Sequence, residues 1–421
     1  MSSPRAPKGT YDLLPDEAQR RDSIVATAAR VFAAYGYRRI VTPEFEETGL
    51  FARGVGEATD IVRKEMYTFV DKGQRSLTLR PEGTAPICRA FVEHGMHKLP
   101  QPVKLWYYCP MFRYERPQAG RYREHYQIGA EAIGSADPAV DAEVIALLAA
   151  IFAALGVEGL TLNMNSMGDR DCRPAYVEKL RGYLRGRADE LCGDCRERVE
   201  LNPLRSFDCK LGSCRAVLEE APRIGDHLCP ACREHFAQVL LLLGRAGLEP
   251  QFDFRLVRGL DYYTRTTFEF SSSRLGAQSG VGGGGRYDGL VAEIGGPPTP
   301  GAGWGSGLER ITLAMREVPA AGAGPDVFVV GFAAEKRVDA FALTQRLRGT
   351  GLAAELDLGG RSPKGQLKQA SRSGARFAAL VGLEELADDM VRLRDMAGGG
   401  EEDVTVASLA RVLATRLEKE N

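Results

Sequence analysis

Trp106-Tyr107-Tyr108-Cys109-Pro110-Met111-Phe112-Arg113-Tyr114-Glu115-Arg116-Pro117, continued by Gly120-Arg121-Tyr122-Arg123-Glu124-His125-Tyr126-Gln127, reads as two strands joined in a hairpin. Aromatic and β-branched residues fill 103–112 and 122–133, a composition that fits a pleated, half-buried surface. Arginines occupy the end of the first strand, the loop and the start of the second. The planar guanidinium fork matches phosphate and carboxylate, so this cluster suits ATP better than a metal or an apolar ligand. For any one arginine a solvated, salt-bridged hairpin is a sufficient account. Arg113 is the exception, because it lies inside an aromatic strand, where an unpaired guanidinium would be costly.

Upstream, Ile24, Val25, Ala28, Val31, Phe32 and Tyr35 recur at helical spacing and Gly36 follows where a C-capping glycine sits, predicting a helix over 16–35. Arg39-Ile40-Val41-Thr42 reads as a strand closed by Pro43, and 76–80 as another. Residues 140–154 are strongly helical and end near Gly156. From 165 to 248 the texture becomes charged and helix-prone, and this stretch holds seven of the nine cysteines. β-Patterning returns over 252–270, and 276–307 is rich in glycine.

Small residues between Pro319 and Pro325 read as a linker. Beyond it, strands at 327–330, 378–381 and 390–393 alternate with helices near 335–348 and 364–373, which predicts a small α/β domain. The expected organisation is therefore 1–164, an insertion at 165–248, a return at 249–318, and a separate domain at 325–421.

A chain of 421 residues exceeds one ordinary core, in keeping with two or three domains. The net charge of −1 removes any overall basic signature, so a nucleic-acid partner would be held by local patches. No apolar run is long enough to span a bilayer, and the N-terminal residues lack the apolar stretch of a secretory signal, which predicts a cytoplasmic protein without membrane attachment. An odd cysteine count with C-x-x-C pairs favours metal ligands or free thiols over a disulfide framework.

The glycine runs exclude two familiar readings. No G-x-x-x-x-G-K-[ST] is present, and Gly301-Ala302-Gly303-Trp304-Gly305-Ser306-Gly307 does not match G-x-G-x-x-G. That run instead reads as a strand feeding the helix start Leu308-Glu309-Arg310-Ile311. Its glycines would let a ligand lie flat on the backbone with Arg310 in the same space, although a glycine-lined packing contact explains the run equally well.

The arginine hairpin and this glycine strand resemble motifs 2 and 3 of the class II aminoacyl-tRNA synthetases, and the helix and strand ending at Pro43 resemble motif 1. Four further segments narrow the resemblance to histidyl-tRNA synthetase: Lys8-Gly9-Thr10-Tyr11-Asp12-Leu13-Leu14-Pro15, Thr78-Leu79-Arg80-Pro81-Glu82-Gly83-Thr84, Leu256-Val257-Arg258-Gly259-Leu260-Asp261-Tyr262-Tyr263, and Gly282-Gly283-Gly284-Gly285-Arg286-Tyr287-Asp288. It runs from about residue 8 to the C-terminus. The fold implied is α+β: an antiparallel-sheet catalytic domain with a helical insertion, then a small α/β anticodon-binding domain.

The resemblance implies activation of L-histidine with ATP and Mg2+, followed by transfer to tRNA(His), in a homodimer. Arg113 would bridge the α-phosphate and the substrate carboxylate, and Arg258 would meet the α-phosphate from the other side. Arg310 would hold the γ-phosphate, Arg121 would add to the ATP site, and Glu115 would lie near adenine or the metal. Glu82, Gly83 and Thr84 would receive the α-ammonium with Gln127 nearby. Glu131 and Tyr263 would grip the imidazole, with Tyr262 and Tyr287 lining the pocket. Where the family usually has an aromatic ring over adenine, this chain has His125 beside Tyr126.

Cys192, Cys195, Cys229 and Cys232 form two C-x-x-C pairs compatible with one structural Zn2+, with Cys209 and Cys214 as alternatives and His227 and His235 as competitors. Arg361, Lys364, Lys368, Arg372 and Arg376 form a basic C-terminal face, either simply solvated or, by the resemblance, an anticodon surface. A catalytically inactive histidine-binding regulatory paralogue is the alternative; it would be expected to have lost the motif arginines or the C-terminal domain. A synthetase for another amino acid is a second alternative, which the 258–263 run disfavours.

Overall fold

Helix α1 (Pro15–Ala34) opens on a proline at its first position, where a missing N–H costs nothing, and stops at Gly36, whose φ of 77° only glycine adopts freely. It buries Ile24, Ala28 and Phe32. The Phe32 ring stacks on Trp106 at 4.7 Å and on Trp304 at 5.8 Å, locking the helix to the strands beneath it. The structure is a computed structural model describing residues 3–56, 59–276, 279–317, 324–332 and 336–419. The chain divides into two units, Met1–Pro319 and Ala320–Asn421. The segment read as a linker lies, except for its end at Gly324 and Pro325, outside the described residues.

In the first unit, β1 (Arg38–Arg39) is followed by a small sheet of β2 (Phe45–Glu47), β3 (Tyr67–Val70) and β4 (Ser76–Leu79). The expected strand at 39–42 is cut short after two residues. Arg80 explains this, because its buried guanidinium takes the carbonyls of Thr42 and Pro43, at 2.9 and 3.0 Å, that a ladder would otherwise use. The large sheet adds β5 (Val103–Phe112), β6 (Glu124–Ile133), β7 (Leu160–Ser166), β8 (Gln251–Phe252), β9 (Thr264–Ser272), β10 (Gly280–Arg286) and β11 (Gly301–Gly307). Its order is β1-β5-β6-β11-β10-β9-β7-β8, antiparallel throughout except at the two-residue edge strands β1 and β8. This is the α+β antiparallel architecture expected.

Helix α2 (Thr48–Val55) flanks the small sheet, α3 (Thr84–Glu93) packs Ile87, Cys88 and Phe91 against β5, and α4 (Pro138–Ala154), capped by Asp137 accepting from the Ala139 N–H at 2.8 Å, covers the large sheet. Between β7 and β8 the chain leaves the sheet as an insert of α5 (Arg173–Arg185), α6 (Gly193–Leu201), α7 (Gly212–Glu219) and α8 (Pro230–Arg245), with a core of its own built on Tyr176, Leu180, Leu184 and Leu218. Residues 253–263, expected to be part of a strand, form an irregular segment. The Asn165 side-chain amide donates to the carbonyls of Phe254 and Leu256, satisfying locally what a ladder would have satisfied. The short α9 (Leu290–Glu293) and α10 (Leu308–Ala314) complete the unit.

One buried ionic group joins sheet, α4 and insert. Arg286 of β10 chelates Asp141 of α4 with its Nε and Nη2, and His235 of α8 sits 3.3 Å from the same carboxylate. Burial alone would raise the Asp141 carboxyl, but His235 and Arg286 outweigh it and hold the group below the usual range. Asp141→Asn is therefore expected to destabilise this unit by about 3 kcal/mol, by leaving the buried Arg286 with only the partly exposed Asp288 carboxylate, at 3.1 Å, as counter-charge. A thermal-unfolding shift no larger than that of a neutral surface substitution would contradict this.

In the second unit, β12 (Val327–Gly331) runs parallel to β13 (Ala354–Leu356) and β14 (Phe377–Val381), and β15 (Met390–Asp395) and β16 (Glu401–Thr405) extend the sheet antiparallel, in the order β13-β12-β14-β15-β16. Helices α11 (Arg337–Gly349), α12 (Pro363–Arg372) and α13 (Leu409–Lys419) complete an α/β domain. β16 and α13 lie beyond the elements the sequence pattern predicts for this domain. The strand forms because Arg392 and Arg394 of β15 pair across to Asp403 and Glu401.

Candidate active site

Glu82 and Gly83 lie immediately before α3, and the Glu82 carboxylate accepts from the N–H groups of Thr84 and Ala85 at 2.7 and 2.9 Å, using two of the helix's unsatisfied donors. Burial pushes this carboxyl up, opposed by those two N–H groups. Glu131 on β6 is fully buried and accepts from the Thr84 hydroxyl at 2.8 Å and the Tyr287 hydroxyl at 2.5 Å. Burial lifts the Glu131 carboxyl to about 8, although both hydroxyls oppose the shift. Tyr262 stacks obliquely on Tyr263 at 4.7 Å and meets Tyr287 edge-on at 5.8 Å, with its hydroxyl 3.4 Å from Glu82. Glu82, Thr84, Glu131 and three tyrosines thus form one buried polar cluster.

The glycines make this possible. A Cβ on Gly303 would lie 1.8 Å from a Glu131 carboxylate oxygen, and one on Gly305 would lie 1.5 Å from the Gln127 amide nitrogen. Only bare backbone on β11 lets Glu131 and Gln127 lie across the sheet. The Gln127 amide oxygen is buried and has no hydrogen-bond partner among the described residues.

Beside this cluster opens a cleft of about 470 Å³ floored by the glycine backbone of β10 and β11. Arg113, Arg258 and Arg310, from three different parts of the sequence, all line it, as do Glu115 and Arg121. Arg113 donates through Nε to the Pro81 carbonyl at 2.7 Å, which leaves the outer edge of its guanidinium facing the cleft. Arg258 donates to Glu269 of β9 at 2.7 Å, while its own carbonyl is held by Arg205 of the insert at 2.8 Å. Arg310 donates through Nε to the Gly280 carbonyl. Its proton affinity is lowered by burial and then by Arg121, so two cations lean on the same space. A cleft carrying such mutually repelling cations is built for a polyanion.

His125 lines this cleft too. Burial, then Arg113, drives its imidazole down to about 3, so it is neutral throughout the physiological range and can offer a flat uncharged ring. Tyr126, its neighbour, faces elsewhere: its ring lies under Arg21 at 4.3 Å, against α1.

The cysteine expectation needs correction. The two C-x-x-C pairs do not come together, because each opens a different helix, α6 or α8. Cys192 and Cys195 gather with Cys209 and Cys214, whereas Cys229 and Cys232 gather with Asp169 and Cys172. The histidines are in neither group. His227 stacks on Tyr176 at 5.7 Å, and His235 faces Asp141.

Four contributors escaped the sequence reading. Glu269 was legible only as the one acid in a strand of Thr, Phe, Arg and Ser. Tyr107 wedges its ring against Gly83 and Gly129, where added Cβ atoms would lie 2.6 and 2.2 Å from it. Asp208 and Lys210 reach the cleft from the insert, a placement that only the tertiary fold creates.

An antiparallel sheet carrying a glycine-floored, triply arginine-lined cleft beside a buried polar cluster, with a separate α/β domain following, is the arrangement that the resemblance to the class II aminoacyl-tRNA synthetases implies. The sequence profile of histidyl-tRNA synthetase matches residues 9–311, and that of an anticodon-binding domain matches 326–416. The chain is 52% identical to the histidine–tRNA ligase of Moorella thermoacetica over 96% of both chains, and 51% identical to that of Anaeromyxobacter dehalogenans over 96% of this chain and 97% of the other. Its structure resembles the apo histidyl-tRNA synthetase of S. aureus with a TM-score of 0.82, at 37% identity, covering 97% and 99% of the two chains. The chain belongs to the histidyl-tRNA synthetase family.

Proposed function

We propose that this protein is a histidine–tRNA ligase. It joins L-histidine to ATP as histidyl-adenylate with release of pyrophosphate, then passes the histidyl group to the 3′ end of tRNA(His). The observation that carries the reading is the adjacency of the Glu131–Tyr287–Thr84 pocket to the Arg113–Arg258–Arg310 cleft.

In the first step a carboxylate oxygen of histidine attacks the α-phosphorus, and the bond from that phosphorus to the pyrophosphate oxygen breaks. Charge concentrates on the α-phosphoryl oxygens, so fixed cations placed there lower the barrier without reorganising. Arg113 and Arg258 take the α-phosphate from opposite sides, Arg113 also drawing in the substrate carboxylate. Arg310 and Arg121 hold the outer phosphates. Glu82 and Thr84, with Gln127, receive the α-ammonium. Glu131 and Tyr263 pair with the two imidazole nitrogens, and Tyr262 and Tyr287 close the pocket. A site that must satisfy both ring nitrogens rejects side chains that cannot, by leaving buried polar groups unpaired.

Glu115, a carboxylate between Arg113 and Arg121, would hold Mg2+, which supplies neutralising charge to the triphosphate. Burial and the nearby Glu115 together raise the Glu65 carboxyl, a pairing of acids that supports cation binding there. Structural zinc belongs to the insert in this reading, with the ligands regrouped as the fold arranges them. A homodimer fits the motif 1 resemblance, and the exposed apolar side chains Leu14, Val41, Phe45 and Phe69 support a covered face.

Arg361, Lys364, Lys368 and Arg372 are exposed along and just before α12, beside a cavity of about 470 Å³ lined by Phe332, Arg337 and Gln366, and this is the face we assign to the anticodon. No helix among the described residues is long and apolar enough to cross a membrane, which supports a cytoplasmic enzyme.

The alternative of an inactive regulatory paralogue is not favoured. A Bacillus halodurans ATP phosphoribosyltransferase regulatory subunit/histidyl-tRNA synthetase shares the fold at a TM-score of 0.67 but only 23% identity. Exchange of labelled pyrophosphate into ATP is expected to require histidine. Absence of exchange sinks the ligase reading, and exchange driven by another amino acid moves the specificity.

A further inference from the structure

The insert's seven cysteines form two compact groups, and each adjoins one end of the segment 258–265. In the first group the sulfurs of Cys192, Cys195, Cys209 and Cys214 all lie within 4.8 Å of one another. In the second, the sulfurs of Cys172, Cys229 and Cys232 and a carboxylate oxygen of Asp169 do the same. Zinc–sulfur bonds of about 2.3 Å place tetrahedral sulfurs roughly 3.8 Å apart. Cys192 and Cys209 stand 4.0 Å apart, and Cys172 and Cys232 3.9 Å. Those spacings are twice a disulfide bond, and all nine cysteines are free thiols.

Backbone N–H groups already point at several of these sulfurs, from Cys192 to Cys214, Cys195 to Cys192, and Asp169 to Cys172. Such donors stabilise metal thiolates. Each group draws ligands from two helix starts, α6 with α7 and α8 with α5, which gives four convergent donors on rigid supports.

We propose that each group binds one Zn2+ and that the two ions together clamp the segment carrying Arg258, Tyr262 and Tyr263. The first group works through the chain between its ligands Cys195 and Cys209. There the Asn202 amide donates to Asp261 at 3.0 Å and Arg205 donates to the Arg258 carbonyl at 2.8 Å. Arg205 is itself fixed by Asp208 at 3.0 Å, and Asp208 and Lys210, flanking the ligand Cys209, both line the nucleotide cleft.

The second group works through residues 169–173. Arg173 donates to the Tyr263 carbonyl and to the Met167 carbonyl, and Asp169 pairs with Arg265 at 3.6 Å. Arg265 has φ of 49°, an unfavourable conformation for a side chain that large, and its backbone is fixed on both sides by Met167 and Gly168. With both ions bound, residues 258–265 are pinned at each end. The ligand residues are thus positioning residues for Arg258.

The proposal rests on the insert's being a zinc module, not on the aminoacylation reading, and metal content is measured independently of activity. Full-length protein from zinc-replete medium, dialysed against metal-free buffer, is expected to hold two Zn2+ per chain by mass spectrometry of the metal. Displacement of thiol-bound zinc with a mercurial, read with a chromophoric chelator, is expected to release the same two from the unaltered protein. Cys214→Ser and Cys232→Ser are each expected to lose one ion and keep the other.

In pyrophosphate exchange Cys214→Ser, acting at the Arg258 end, is expected to drop at least tenfold in kcat with KM for histidine within about threefold, whereas Cys232→Ser, acting at the Tyr263 end, is expected to drop as far in kcat and also to raise that KM more than threefold. Fewer than two ions in the unaltered protein, or loss of both ions by either substitution, overturns the two-site assignment. An unchanged kcat in a variant that has lost its ion overturns the clamp.

Discussion

Arg258→Ala is expected to slow histidyl-adenylate formation by at least about 10³-fold, the scale on which a preorganised cation at a phosphoryl centre acts. Two features of the site set that size. The guanidinium is brought to the cleft by a segment held at both ends, so it needs no reorganisation as charge develops. Its partner Glu269 stands 2.7 Å away on the rigid central strand β9, so removing the arginine also leaves a carboxylate facing the phosphates. The loss should therefore exceed that of a single donor, and Arg258→Ala combined with Glu269→Gln should recover up to about tenfold of it.

Arg258→Lys should rescue little, because a lysine presents one point charge where the fork reaches Glu269 and the phosphate together. Folding and histidine binding should survive, since residues 258–263 are tied down mainly by backbone contacts to Arg173 and Arg205 and by the side chain of Asp261. Single-turnover adenylation is the measurement, with histidine binding by calorimetry as the control. An unchanged single-turnover rate would falsify the role assigned to Arg258.

How far the sequence carried the architecture differs from element to element, for physical reasons. The helix over 16–35 and the hairpin strands were legible because burial on one face imposes a period, and period is what a sequence displays. The extended reading of 252–270 failed where that logic stops. Residues 253–263 are aromatic and β-branched enough for a strand, yet Asn165 satisfies their carbonyls and the insert packs on them, so tertiary contacts decide the conformation.

The glycine strands were legible as strands, but not why they are glycine. Gly303 and Gly305 answer to Glu131 and Gln127, which lie more than 170 residues upstream. Arg286 shows the same limit. Its quoted motif invites a catalytic guess, whereas its fully buried side chain is spent on Asp141 in the scaffold. The cysteine pairs mislead because two motifs of one kind suggest two halves of one site, whereas each pair finds its other ligands elsewhere. A C-x-x-C at a helix start supplies two ligands, and the fold alone says which two complete the set.

Glu131→Gln is expected to raise KM for histidine by about 10- to 100-fold while leaving the empty protein nearly as stable as before. The reasoning begins with the carboxyl's proton. In the empty pocket its affinity lies near pH 8 against an ordinary value of 4.5, because the group is fully buried and only two hydroxyls reach it. At pH 7 it is therefore mostly neutral, and glutamine, neutral and of the same shape, can keep acceptance from Thr84 or Tyr287.

The difference appears when an imidazole N–H arrives. A carboxylic acid can then yield its proton and accept as an anion, and an amide cannot; a hydrogen bond to a charged group is worth about 1.5–3 kcal/mol. The pH dependence of stability separates the two forms further. A carboxyl whose folded affinity is raised contributes stability that is complete below the unfolded value of 4.5 and is lost as pH climbs through 8. Between pH 7 and pH 9 this single group should remove about 1 kcal/mol from the ligand-free protein, and Glu131→Gln should lack that decline. A KM for histidine within threefold of the unaltered enzyme, or an alkaline loss of stability that persists in the variant, would remove Glu131 from the centre of the amino-acid pocket.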